Sequence, residues 1–294
     1  VVAGVTREDR VDMPEGVTVY PVYFSSEKLP YPVVGMSDDM PYTSTRYRDM
    51  TEEMAGQFKA AFLEVLDEAI EKENPDIILC HHLYYLTALI RAHYPAKKVY
   101  RFCHNTDLRQ MDIISFERNF IRQEIPKLNR IFALQEAQKE KIKKIYPVSE
   151  KQMTVIGTGY NSEVFKKTGI KLSRKDGKIR MIFAGKITQK KGVKSLLRAL
   201  NLLDYEKEKI QLILAGGAGN LVEYEEIKEL ADGCRYPVVF AGCVTQSRLA
   251  ELYNDCDIFV LPSMYEGLPL TVIESLACGD RVVMTKLEGI AEWL

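Results

Sequence analysis

Strand-length apolar runs alternate with helical stretches along most of this chain, and that alternation restricts its fold more than any other feature. DIILC (76–80), KVYRF (98–102), RIFAL (130–134) and MTVI (153–156) read as strands in the first half. RMIFA (180–184), QLILA (211–215), VVFA (238–241), DIFVL (257–261) and RVVMT (281–285) follow in the second. Helical patterns over 51–73, 83–93, 136–145, 193–203, 223–231, 246–253 and 270–278 separate them. Several strands are apolar throughout, as a parallel sheet covered by helices on both faces requires. Repeated strand–helix units mean an α/β architecture.

A length of 294 residues fits one large or two medium domains. The stretch KKTGIKLSRKDGK (166–178) is polar and basic and lacks an apolar period, so it reads as a linker. The expectation is two doubly wound Rossmann-like domains, 1–165 and 179–294, with ligands outside the carboxyl ends of strands. Residues 24–47, rich in Pro, Ser and Tyr, read as one long loop, and loops of that length are usually functional or mobile.

Charge excludes some functions. With 40 Lys+Arg against 41 Asp+Glu, the chain is not built to bind nucleic acid through phosphates. No run reaches the ~18 apolar residues that span a bilayer, and no basic region precedes the opening VVAGV as in a secretory signal. Six cysteines without C-x-x-C spacing read as buried thiols in a reducing compartment, the cytoplasm. Cys80-His81-His82 and Cys103-His104 follow apolar runs where a cysteine usually just packs, so a metal reading is set aside. Residues 117–151 carry nine Lys/Arg against five Asp/Glu; a solvated helix face is preferred to peripheral membrane contact there.

The chemistry concentrates in a few loops. YEGLPLTVIE (265–274) follows the strand DIFVL and a Pro-Ser turn. Pro269 suits the first helical position, and Leu270, Glu274 and Cys278 then share one helix stripe. A carboxylate on that mainly apolar stripe must be paired or neutralised, or accept hydroxyl hydrogen bonds from a ligand. Gly267, Leu268, Leu270 and Thr271 would offer backbone N–H groups at a helix start, a ready anion site. FAGKITQKKG (183–192) ends a strand in a basic loop; it fails the G-x-x-x-x-G-K-[ST] pattern, but Lys186 and Lys191 can neutralise a diphosphate. Gly216-Gly217-Ala218-Gly219 lacks the third glycine of a dinucleotide fingerprint and remains a permissive loop. The backbone at 241–244 can meet a nucleobase edge. His81, His82 and His104 stand in two polar bursts after what should be adjacent strands. Acids, lysines and a helix start together suit a nucleotide sugar.

These residues resemble glycosyltransferase family 4, retaining enzymes of the two-lobed GT-B fold. The E-x7-E signature reads as Glu266 to Glu274 within PSMYEGLPLTVIESLACG, and FAGKITQKKG is similar to the donor-phosphate loop. FAGCVTQSRLAELYNDCDIFVLPS resembles the stretch whose backbone near Val244 meets the base; FCHNTD looks like the loop whose His104 approaches the donor sugar. TVIGTGYNSEVF looks like the end-of-domain segment. The resemblance implies two facing domains with the ligand cleft between them. The reaction is then sugar transfer from a nucleotide diphosphate donor, a UDP-sugar first, to an acceptor hydroxyl, with retention and no obligatory metal or cofactor. It further implies catalytic roles for Glu266 and His104, diphosphate binding by Lys186, Lys191, Gly267, Leu268, Leu270 and Thr271, and ribose or base contacts from Glu274, Val244 and Gly216. Closure of the domains over the donor would exclude water. The family pattern expects an opening strand with a Gly-rich loop ahead of Val1 and further strand–helix units after Leu294. A sugar-nucleotide epimerase of the same fold, or a non-catalytic sugar-nucleotide-binding scaffold, are the alternative readings, and the acceptor is not legible.

Overall fold

The computed structural model describes residues 1–37, 40, 42–169 and 176–292. Two compact units divide the chain, Val1–Gly157 and Thr158–Leu294. Val164 and Phe165 pack on the second unit's core, which draws the division several residues ahead of 165. Residues 170–175 of the anticipated linker lie outside the described residues.

In the first unit, β1 (Val2–Val5) and β2 (Tyr20–Tyr23) form a parallel pair. The short strands β3 (Val34–Gly35) and β4 (Thr45–Arg46) form another. The helix α1 (Glu52–Glu73) follows; the Thr51 side chain caps it by accepting the Met54 N–H, and it ends on Asn74 in the left-handed region. Its buried face, Ala55, Phe58, Phe62, Leu66 and Ala69, keeps the three- and four-residue spacing of a helix lying on a core. Four parallel strands then run in sequence order: β5 (Ile77–His81), β6 (Lys98–Phe102), β7 (Arg130–Ala133) and β8 (Met153–Val155). Between them lie α2 (Tyr85–His93), α3 (Thr106–Ile113), α4 (Arg118–Glu124) and α5 (Glu136–Ile145).

Two expectations change here. The 24–47 stretch is not a structureless loop: Phe24, Leu29, Tyr31 and Tyr47 are buried in the unit's core. Phe24 meets Tyr31, Phe58 and Phe62 ring to ring, so apolar contact holds the segment despite its lack of period. The basic 117–151 stretch is not one face either. It contains the buried strand residues Ile131 and Ala133, and Lys139 and Lys143 are paired with Glu136, Glu140 and Glu150.

The second unit is one parallel sheet. Its strands are β9 (Ile179–Ala184), β10 (Ile210–Ala215), β11 (Val238–Gly242), β12 (Ile258–Leu261) and β13 (Arg281–Met284), in spatial order β11-β10-β9-β12-β13. The helices α6 (Val193–Leu200), α7 (Leu221–Asp232), α8 (Gln246–Asp255) and α9 (Leu270–Ala277) connect them. The order reverses direction between β9 and β12. Loops leaving the carboxyl ends of those two neighbours diverge to opposite faces, which opens a crevice for ligand at that point. The central strands carry the apolar load: Ile182, Phe183, Leu212, Leu214 and Phe259 are almost wholly buried.

Candidate functional site

At the switch point the loop after β9 and the loop after β12 are tied together. Lys191, in a single turn capped by Thr188, donates from Nζ to both carboxylate oxygens of Glu266, at 2.7 and 2.8 Å. Ser263, fully buried, donates its hydroxyl to the same carboxylate at 2.6 Å. The Met264 N–H donates to the Lys190 carbonyl at 3.0 Å, so backbone as well as side chains joins the loops. The Glu266 carboxylate is thus held in place by three charge-assisted bonds, two from the lysine and one from the buried hydroxyl.

Glycine makes this closeness possible at two positions. Gly192 has φ +76°, and a Cβ there would lie 2.0 Å from the Pro262 carbonyl oxygen. Gly216, after β10, would place a Cβ 1.8 Å from the Gly185 carbonyl oxygen. Only a residue without a side chain lets these backbones touch.

Pro269 sits one position earlier than expected: it is the N-cap of α9, with an extended backbone, and Leu270 is the first helical residue. Glu274, one turn further, is only 8% exposed, and its carboxylate has no hydrogen-bond partner among the described residues. Burial pushes its pKa up from 4.5. Of the other candidates, Leu270 is exposed, Leu268 and Thr271 are half-buried, and Gly267 is already engaged. Lys186, in the loop after β9, is likewise engaged. Val244 follows β11 and packs partly on the core, while Cys243 beside it is exposed rather than buried. Cys80, Cys103, Cys256 and Cys278 are buried free thiols, as expected. Because all five strands are parallel, Lys186, Lys191, Gly216, Val244 and Glu266 lie in loops leaving one edge of the sheet, and Glu274 stands on the helix that follows.

In the first unit the two histidine loops do follow adjacent strands, β5 and β6, with His81 in register with Phe102. His81 Nδ1 lies 2.9 Å from His104 Nε2, and the His82 ring centroid is 4.8 Å from that of His104. His82 has φ +70°, and its buried Nδ1 has no partner among the described residues. Burial, ahead of the nearby Arg101 charge, lowers its pKa to about 4. Burial and then Arg101 lower His81 and His104 as well.

Beneath the cluster, Arg101 and Asp107 form a fully buried ion pair at 2.5 Å. Asp107 also accepts the backbone N–H groups of Leu83 (2.6 Å), Leu108 (3.0 Å) and His104 (3.3 Å), so one carboxylate orders both histidine loops. Motif and spacing assign no role to Ser263, Arg101 or Asp107. The available signal was an Asp three residues after His104, in the first turn of a helix, where it can reach back to loop N–H groups. Among the described residues, no three His, Cys, Asp or Glu side chains are placed to hold a metal ion. No helix there is long and apolar enough to cross a membrane.

Parallel α/β units with a lysine–glutamate contact at the switch point define a Rossmann-like class that the solved structures make specific. The chain superposes on a sucrose-phosphate synthase from Thermosynechococcus elongatus with a TM-score of 0.67 at 17% identity, over 86% of this chain and 65% of that one. HepE from Anabaena in complex with UDP gives 0.68 at 16% identity, over 79% and 65%. This is the GT-B fold of glycosyltransferases. The profile described as Glycosyltransferase Family 4 matches residues 16–164, and that of Glycosyl transferases group 1 matches 165–294. The chain belongs to glycosyltransferase family 4. An uncharacterised glycosyltransferase of Methanocaldococcus jannaschii is 29% identical over 172 residues, 55% of this chain. The chain spans 44% of that relative's length.

Proposed function

We propose that the chain transfers a sugar from a nucleoside diphosphate sugar to an acceptor hydroxyl, with retention at the anomeric carbon and no obligatory metal. The observation that carries this reading is the pairing of Lys191 with Glu266 at the switch point, together with a buried Glu274 on the helix that follows, which has no protein partner among the described residues. A buried, unpaired carboxylate costs several kcal/mol unless something hydrogen-bonds to it. A ribose diol supplies two hydroxyl donors. Departure of the nucleoside diphosphate leaves negative charge on phosphate oxygens. Lys186, Lys191 and the first-turn N–H groups of α9 at Leu270 and Thr271 would stabilise that charge as it develops, together with the backbone at Gly267 and Leu268. Glu266 would then exchange part of its bond to Lys191 for sugar hydroxyls. Val244 and Gly216 would meet the base side of the nucleotide, and His104 the donor sugar. The UDP bound by Anabaena HepE favours a UDP-sugar as the first donor to try. Buried free thiols favour a reducing compartment such as the cytoplasm.

A thermal-shift panel of UDP-, GDP-, ADP- and dTDP-sugars tests the reading. A ligand at a hundred times its Kd adds about 2.7 kcal/mol of stability, so one donor class should raise Tm by several degrees. Glu266→Ala should then abolish transfer, whereas a scaffold's partner binding would not change. No shift with any nucleotide sugar, in a folded sample, overturns the proposal. Turnover that vanishes with EDTA and returns with a divalent cation overturns metal independence.

A further inference from the structure

The contact between His81 and His104 places two ring nitrogens 2.9 Å apart. At that distance one nitrogen must carry a proton and the other a lone pair; two lone pairs or two N–H groups would repel. A neutral imidazole has a single N–H, so the choice made at the inner nitrogen fixes the outer one. When His104 carries the shared proton on Nε2, its Nδ1 is an acceptor. When His81 carries it on Nδ1, the Nδ1 of His104 is a donor. We propose that His81 is a positioning residue that holds a single proton between its Nδ1 and His104 Nε2, and so sets which hydrogen-bonding role His104 presents to a ligand. The functional weight of this rests on the reading of His104 as the contact to the donor sugar.

The surroundings hold the pair in that arrangement. His81 lies nearly parallel to Phe102 and to His104, at ring-centroid distances of 5.4 and 5.2 Å, which restricts its rotation. The charged and titratable groups around the pair are Arg101 on β6, Asp107 on α3 and His82 after β5. The Arg101 guanidinium opposes protonation of both rings, and Asp107 partly offsets it at His104. A first added proton enters at the outer nitrogen of the donor ring and strengthens the inner bond by charge assistance. A second must enter between the rings and breaks it. The two uptakes therefore belong to the pair and not to either residue.

The test is histidine nitrogen NMR on the whole chain, which has only four imidazoles. Near pH 7.5 the wild type should show one inner nitrogen protonated, the other not, and a 15N–15N coupling through the hydrogen bond. In His81→Leu, His104 should relax to a mixture of tautomers. Tautomer averaging of both rings in the wild type overturns the proposal, as does an unchanged His104 in folded His81→Leu. Should His81→Leu lose its amide dispersion, the wild-type coupling decides alone. None of these readings needs a nucleotide sugar, so failure of the donor panel and failure of this proposal are separate results.

Discussion

The two units hold their candidate residues by different means. In the second unit, loops are locked by backbone-to-backbone contact at Gly192 and Gly216, and the Lys191–Glu266 pair stays partly open to solvent. In the first unit, a buried charge pair, Arg101–Asp107, sits beneath the histidines and ties their loops through backbone N–H groups. Shape positions one set and charge the other. Shape fails through added volume, whereas charge fails through loss of a partner or through pH.

Asp107→Ala should have the largest effect. It strands the Arg101 guanidinium without a counter-charge and leaves three N–H groups unsatisfied, a loss of about 3–5 kcal/mol. Urea unfolding with hydrogen exchange resolved by unit should confine that loss to residues 1–157; an equal loss in the second unit would break the contrast.

Gly192→Ala comes next, at about 3 kcal/mol in the second unit, because backbone at Pro262 cannot yield to a Cβ 2.0 Å away. Gly242→Ala is the control: its φ is also positive, at +69°, but nothing lies within 4 Å, so only about 1 kcal/mol of conformational strain is expected. Similar losses for both would mean that φ, not contact, locks the loops.

Acid should weaken the first unit through His82. Its pKa is depressed from 6.5 to about 4, so the unfolded chain binds the proton first as pH falls. The contribution is complete above 6.5 and is lost as pH drops toward 4. At about 1.4 kcal/mol per unit, that loss reaches about 3 kcal/mol. His82→Asn, which accepts a positive φ, should flatten this dependence in denaturation measured across pH. An unchanged slope would exclude His82 as its source.

Glu274→Gln should move stability least, and in the opposite direction. With its folded pKa raised, Glu274 contributes stability below pH 4.5 that is lost as pH rises through the raised value. The neutral amide should make the second unit slightly more stable at pH 7, while lowering nucleotide-sugar affinity about tenfold or more, read by calorimetry. A tighter complex would remove Glu274 from the ribose role.

The second unit was legible in the sequence because its central strands are continuously apolar and its loops carry glycine, lysine and acid in recognisable order. The family resemblance added roles that spacing could not. The first unit was less open to this reading. Its β2, β3 and β4 are two to four residues long, and the buried aromatics of 24–47 follow no period. Arg101, inside KVYRF, is a charge that no strand pattern marks as buried, yet it is fully buried because Asp107 waits six residues on. Period reports which face is apolar; it does not report a charge whose partner arrives through a turn. The contact between Lys191 and Glu266 was likewise out of reach, since 75 residues separate them and only strand order makes them neighbours.

The interlock at Gly185, Gly192, Gly216 and Pro262 has an evolutionary consequence. Segments that abut through main chain cannot be lengthened or exchanged one at a time, so a graft of any one of them from a relative should carry the others as a single cassette. Ligand preference in such a unit has to diversify through the side chains that project from this frame, while the frame is inherited whole.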